Sequence, residues 1–260
     1  MSGVITLTTD FGTADPFAGI MKGVILSIHP PARIVDITHA IEPQNVLQAA
    51  YVLESAWRWF PKHTVHVAVV DPGVGGSRRA MAFKRGNTIF VGPDNGLFTG
   101  LLEADSQCHE LKNPKYRLPE VSGTFHGRDV FAPAAAWIAR GTPLKSLGPP
   151  LKNPVRLDRP QAAWTGKALE GEVIHIDRFG NAATNISREL IAQHFLRKTP
   201  LTVRIGRQSV GGLSSHYAEI PSGRTGAVIN SWNVLEVFER DGNAARRLKL
   251  KVGRKIRVTR

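Results

Sequence analysis

The chain is short of cysteine: its 260 residues contain one, Cys108. No intramolecular disulfide can form, and the composition fits a reducing compartment. No apolar run approaches the roughly 20 residues that a membrane-spanning helix needs. The N-terminus has no basic stretch ahead of an apolar one, so a signal peptide is not expected. A cytoplasmic protein without a membrane partner is the expectation. His63 and His66 are three apart, with no Cys or carboxylate set at metal-ligand spacing. They read as structural, and no metal site is expected. Acidic residues are also scarce, 21 against 34 Lys and Arg, giving a net charge of +13 and a pI near 10.4. That balance favours anionic partners. The basic residues are scattered, however, apart from a concentration at Arg246–Arg260. No basic run interleaved with aromatics and no nucleic-acid motif stands out, so a generally basic surface without a specific nucleic-acid partner is expected.

What the chain has is apolar content, 42%, with 25 Gly and 17 Pro, enough for one large core or two smaller ones. Its most informative stretch is Val69–Arg79. The apolar, β-branched run His66–Val70 reads as a buried strand that stops at Asp71. Pro72 forbids continuation of the ladder, and Gly73, Gly75 and Gly76 permit unusual backbone angles. Arg78 and Arg79 follow. A carboxylate at the end of a buried strand, then a glycine loop and a cation, lies where open α/β sheets bind ligands. The competing reading is a tight loop whose Asp caps backbone N–H groups.

The same pattern opens the chain: Val4–Thr8 reads as a strand ending in Thr9-Asp10-Phe11-Gly12. Pro16 then starts a helix over Phe17–His29, and Arg33–Thr38 reads as a second strand. A helix runs from Pro43 to about Phe60. Ala80–Phe83 and Thr88–Val91 read as strands, and Gly92-Pro93-Asp94-Asn95-Gly96 opens a short helix, Leu97–Glu103. Thr124-Phe125-His126-Gly127-Arg128-Asp129 precedes a helix, Val130–Arg140, with Asp129 as its expected N-cap. His126 just outside it is suited to act as a base or a relay, or simply to satisfy a loop carbonyl.

Alternating strands and helices predict an α/β domain with a mostly parallel sheet and flanking helices over 1–155. The proline-rich stretch Pro143–Pro160 marks a domain boundary, and a linker is placed at 156–168. The remainder, 169–260, reads as a small antiparallel β-barrel-like domain of short strands, with one helix over Arg188–Leu196. Two polar clusters stand out there. One is the loop Ile176–Asn185, with Asp177, Phe179 and Asn181. The other combines Asn230-Ser231-Trp232 with Asp241-Gly242-Asn243-Ala244. Aromatic, amide and carboxylate groups together suit a purine nucleoside; plain Asn/Gly turns would have the same composition.

Taken together, these blocks resemble the S-adenosyl-L-methionine hydroxide adenosyltransferase family, relatives of the fluorinase and chlorinase enzymes. The likeness rests on Thr8–Gly12, Val70–Gly75, Gly92–Gly96, Thr124–Asp129, Ile176–Asn181 and Asn230-Ser231, in family order. It implies an N-terminal α/β domain and a C-terminal β-barrel-like domain. It also implies a homotrimer, with substrate between one subunit's first domain and a neighbour's second. The implied reaction is attack of a water-derived oxygen on C5′ of S-adenosylmethionine, releasing adenosine and L-methionine. S-adenosylmethionine would be the substrate, with no cofactor and no metal.

The resemblance maps a catalytic set onto Asp71, Arg78 and His126, with Arg79 the adjacent alternative. Asp71 would accept a hydrogen bond from the water, Arg78 would favour its ionised form, and His126 would relay or hold the proton. The resemblance puts Asp10 on the ribose and Phe125, Phe179 and Asn181 near the adenosine. Asp177 and Ser231 fall toward the methionine end, Asn243 and Ala244 at the adenine edge, and Glu236 at a ligand contact or a strand salt bridge. A tryptophan of the fluorinase falls at Gln44. The halogenases carry tyrosine at the positions of Asp71 and His126. A carboxylate here would repel a halide, which favours water over halogenation. The alternatives are an adenosine- or S-adenosylmethionine-binding protein with little turnover, or a halogenase.

Overall fold

Three β-branched or small residues in a row decide the centre of the first sheet. In β3 (Val65–Val69) every residue is buried, because Val65, Val67 and Val69 face one core while Ala68, and Val70 just beyond, face another. Strands covered on both faces belong to α/β sheets. The computed structural model describes residues 3–195 and 200–260. The chain divides into two compact units, Met1–Asp158 and Arg159–Arg260.

In the first unit, β1 (Val4–Thr9), α1 (Phe17–Ile28), β2 (Arg33–Thr38), α2 (Val46–Ala56) and β3 are followed by β4 (Ala80–Arg85), β5 (Thr88–Pro93), β6 (Cys108–Glu110) and α3 (Ala132–Ala139). The sheet order is β2-β1-β3-β5-β4-β6. The first four strands in that order are mutually parallel; β4 pairs antiparallel with both β5 and β6. α1 and α3 supply Met21, Ile25 and the alanines of Ala132–Ala139 to one core. α2 supplies Ala49 and Leu53 to the other, with Phe83, Phe90 and Phe98. The chain leaves β1 toward β2 and returns on the far side to β3. The strand order therefore reverses between β1 and β3, and their C-terminal ends open the crevice where such sheets bind ligands.

Three local expectations change. The α2 helix starts at Val46, capped by the Asn45 side chain, not at Pro43. Leu97–Glu103 is a run of turns, with Thr99 N–H bonded to Gly96 O and Leu101 N–H to Phe98 O, not a helix. Asp129 does not cap α3. It is fully buried within a wide π-type turn, Gly127–Phe131, whose N-terminal boundary residue is His126. There its carboxylate accepts from Arg128 and from the Ser122 backbone N–H.

The second unit contains β7 (Ala163–Trp164), β8 (Leu169–Ile176), β9 (Ala182–Ser187), α4 (Arg188–His194), β10 (Thr202–Ile205), β11 (Gln208–Ser209), β12 (Leu213–Ser214), β13 (Thr225–Ile229), β14 (Val234–Glu239), α5 (Ala244–Leu248) and β15 (Lys255–Thr259). Its order is β11-β10-β15-β8-β9-β14-β13-β12, with β7 beside β8. Pairing is antiparallel except between β12 and β13. The path has two ends, so the barrel-like expectation becomes a curled half-barrel. Leu169, Val173, Ala182, Val203, Leu235 and Val258 fill its core. The stretch 182–185, read as loop, is the start of β9. α4 ends at His194, and the expected end at Leu196 lies outside the described residues. Among the described residues no helix is long and apolar enough to cross a membrane.

Candidate active site

Strand register brings the first two carboxylates together. Thr9 of β1 pairs with Val69 of β3, so Asp10 and Asp71 leave adjacent strands at the same end of the sheet. Both line a cleft of about 410 Å³ with Phe11, Phe17, Phe125 and His126. The three phenylalanines meet edge to face, with centroids 5.2 to 5.8 Å apart. They form an apolar wall beside two acids, the usual make-up of a small-molecule site. Phe17 is 41% exposed although it opens a helix; a solvent-facing ring after Asp15-Pro16 is the signal that sequence inspection passed over. Asp10 accepts from the Gln44 backbone N–H at 2.8 Å. Gln44 also lines the cleft, at φ +66°.

The Asp71 side chain is 5% exposed and that of Arg78 11%. Arg78 Nε donates to Asp71 Oδ1 at 2.8 Å and to Oδ2 at 2.9 Å, and Nη2 donates to Oδ2 as well. The same Nη2 lies 2.8 Å from His126 Nδ1. A guanidinium offers only donors, so Nδ1 must accept and the imidazole proton sits on Nε2. Burial and the Arg78 charge hold His126 below the ordinary imidazole range, which agrees with that neutral tautomer. One arginine thus joins a carboxylate to a neutral imidazole that lines the cleft. Behind it, Arg78 lies over the Phe131 ring at 5.2 Å.

Two devices fix the loop. Gly75, at φ +75°, lies so close to Gly123 that a Cβ would stand 2.0 Å from the Gly123 carbonyl oxygen. That contact locks the Asp71–Arg78 loop onto the loop leading to His126. Asn95 Nδ2 donates to the Val70 carbonyl at 2.8 Å, holding the residue before Asp71; sequence inspection gave Asn95 no role beyond its motif. Arg79 turns elsewhere. It pairs with Asp94, whose side chain is 1% exposed, and donates to the carbonyls of Lys152 and Asn153.

In the second unit the two polar clusters meet, as Ala245 N–H donates to the Gly180 carbonyl at 2.9 Å. Asp177 Oδ1 accepts from the Phe179 and Asn181 N–H groups, leaving Phe179 74% exposed. Asn243 caps α5 through the Arg246 N–H, and Ala244 is fully buried. Ser231 is exposed. Among the described residues Glu236 makes no salt bridge: it is 6% exposed and accepts from Tyr217 Oη at 2.8 Å and Asn230 Nδ2 at 2.9 Å. Burial pushes its carboxyl above the usual range.

An α/β unit with a carboxylate, a guanidinium and an imidazole joined at its switch-point cleft, followed in the chain by a β unit, has the make-up of a small-ligand protein. Comparison with known proteins gives the family. The SAM hydroxide adenosyltransferase N-terminal domain matches residues 5–148 and the C-terminal domain of the same name residues 171–257. The chain belongs to the SAM hydroxide adenosyltransferase family. It is 40% identical to the (R)-S-adenosyl-L-methionine hydrolase of Thermus thermophilus, covering 96% of this chain and 97% of that one. It is 30% identical to a fluorinase of Actinoplanes sp., over 71% of this chain and 72% of the relative. An uncharacterized conserved protein from Thermotoga maritima has a similar crystal structure, with TM-score 0.93, 35% identity and coverage of 98% of this chain and 100% of that one.

Proposed function

We propose that this protein hydrolyses S-adenosyl-L-methionine at C5′, giving adenosine and L-methionine. The observation that carries the reading is the Asp71–Arg78–His126 network beside an apolar cleft, in a chain whose full-length relatives are named as hydrolases of this substrate. Water oxygen forms the new bond to C5′ while the C5′–S bond breaks. The bonding pair goes to sulfur, which leaves as a neutral thioether and needs no acid. The proton leaves the water, and within the trio Asp71 accepts it: its carboxylate keeps lone pairs beyond those bonded to Arg78, whereas the single lone pair of neutral His126, on Nδ1, is already taken by Arg78. Arg78 holds the carboxylate in place, and His126 Nε2–H orients the water by donating to one lone pair. A negative carboxylate at this position works against a halide nucleophile.

Asp10 and Phe125 are assigned to the nucleoside in this reading. The second unit's Asp177, Phe179, Asn181, Ser231, Glu236, Asn243 and Ala244 are assigned to ligand contacts. No bound cofactor takes part. The protein acts in the cytoplasm as a homotrimer, which light scattering checks as three times 28.4 kDa. The function is tested by incubating purified protein with S-adenosylmethionine and following adenosine by chromatography. Wild type releases adenosine; Asp71→Ala and Arg78→Met lose at least about a hundredfold, the scale of a positioned acid or base. No adenosine above the enzyme-free control, or wild-type rates in both variants, refutes the reading. Binding of adenosine without turnover would point to a nucleoside-binding protein instead.

A further inference from the structure

The cleft described above uses little of the chain's positive charge. At the opposite end of the same sheet, where β3 and β5 begin, a second cleft of about 560 Å³ opens. Its lining alternates rings and cations: Trp57, Arg58, Phe60 and Lys62 from one stretch, and Arg85 from the end of β4. The segment Trp57-Arg58-Trp59-Phe60-Pro61-Lys62-His63 is therefore a basic run interleaved with aromatics, contrary to the expectation that the chain has none. Pro61 and the short turn of Trp57–Trp59 at the end of α2 fold it into one wall.

The charges of this wall are mostly uncompensated. Arg85 Nε pairs with Glu103 at 3.0 Å and its Nη1 donates to the Gly100 carbonyl. Arg58 and Lys62 are both exposed, and Glu103 is the one carboxylate among the lining residues. Three cations thus face one carboxylate. The guanidinium groups of Arg58 and Arg85 lie over the Trp57 ring, at 5.1 and 5.2 Å, so ring and charge occupy one surface. Trp59, between two lining residues in the chain, is 81% exposed. Aromatic rings and cations lining one concavity are the combination that stacks a base and neutralises a phosphate. The volume falls in the range of small-ligand sites, roughly 300–1,000 Å³.

We infer that this second cleft binds a phosphorylated nucleoside, its base against the Trp57 and Phe60 rings that line it and its phosphate on Arg58, Lys62 and Arg85. The excess of two positive charges matches a phosphate dianion better than a single carboxylate. The ligand is either a free mononucleotide or one residue of a single-stranded nucleic acid. Asp71 lies beyond the other end of β3, so the site is separate from the hydrolytic cleft and does not depend on the reaction assigned there.

The test uses the full chain, with adenosine present throughout to occupy the first cleft. Adenosine 5′-monophosphate is titrated by calorimetry, and a labelled oligoadenylate by fluorescence anisotropy, at physiological ionic strength. Arg58→Ala combined with Lys62→Ala is compared with wild type and with Lys251→Ala combined with Arg254→Ala, which removes the same charge elsewhere. Melting temperature confirms that each variant is folded. Binding of the monophosphate, weakened about tenfold or more only in the Arg58/Lys62 variant, supports the site with a free nucleotide as its ligand. Binding of the oligoadenylate alone, lost in the same variant, supports it with a single strand. Phe60→Ala should weaken either mode without changing its salt dependence. Absence of binding by both probes, or equal loss in the two double variants, overturns the inference.

Discussion

Replacing Gly75 by alanine should separate the two halves of the candidate active site. The added Cβ would begin 2.0 Å from the Gly123 carbonyl oxygen, where contacts under 3.0 Å are essentially never found. The loops must therefore part by about 1 Å. The left-handed angle of φ +75° adds about 1–2 kcal/mol of backbone strain for a residue with a Cβ. Strain of that size corresponds to a fall in melting temperature of about 2–8 °C for a chain of this length. The parting acts on chemistry as well. Arg78 reaches His126 across the gap in a 2.8 Å hydrogen bond, which would not survive a further 1 Å. A misplacement of about 1 Å in a catalytic group costs about a hundredfold. Gly75→Ala should thus lower the rate of adenosine release at saturating S-adenosylmethionine by about that factor. Two controls isolate the cause. Gly166→Ala sits at φ +86° in open space and carries the strain without the clash; Gly123→Ala points its Cβ into open space. Both should keep the wild-type rate. If Gly75→Ala does too, with a melting loss no larger than that of Gly166→Ala, the loop contact does not build the trio and the reasoning fails.

Arg79→Ala should destabilise without disabling, by about 3–5 kcal/mol in denaturant unfolding, because it leaves the nearly inaccessible Asp94 carboxylate unpaired, while the rate per folded molecule stays at wild type. Cys108 is buried and its thiol is pushed up to about 11, mainly by burial; native protein should resist alkylation at mildly alkaline pH and react only when unfolded. Burial holds the His66 imidazole down to about 4 from an unfolded value of 6.5. The unfolded chain therefore binds the extra proton first, so this group's contribution is present above pH 6.5 and is lost as pH falls toward 4. The loss amounts to roughly 3 kcal/mol. Urea midpoints across that window should flatten in His66→Gln, and an unchanged slope would exclude His66 as the source.

The parts of the fold that local chemistry dictates were legible. A continuous β-branched run predicts β3, and prolines at 16 and 61 bracket helical stretches. What escaped was set by partners distant in sequence. Asp129 has the composition of an N-cap, but its carboxylate closes onto Ser122 and Arg128 inside a wide turn, which no spacing rule announces. Leu97–Glu103 has apolar residues at helical spacing, but Leu97, Phe98, Leu101 and Leu102 are all buried together in one core, and burial on one side is satisfied by turns as well as by a helix. The stretch Ala182–Asn185, read as loop, becomes strand because β8 and β14 flank it. The site divides in the same way. Asp10, Asp71 and His126 could be picked out as polar residues at element ends, whereas Phe11, Phe17 and Asn95 acquire their places only when β1, β3 and the turn after β5 are neighbours.

Arg78 and Arg79 show where sequence reading stops and why. The two are chemically identical and adjacent, seven and eight positions after Asp71, and either side chain is long enough to reach back. In extended backbone approaching a strand, successive side chains point to opposite sides. Only one of the pair can turn to Asp71, and the choice belongs to the face of β4 that each side chain follows. Arg78 takes the side of Phe131 and His126; Arg79 takes the side of Asp94 and the carbonyls at 152 and 153. A one-residue insertion between Arg79 and Ala80, where β4 begins, would exchange these faces, turning the arginine now bound to Asp94 toward the cleft. The register in which the two arginines enter β4 is therefore as much a part of the site as the side chains themselves.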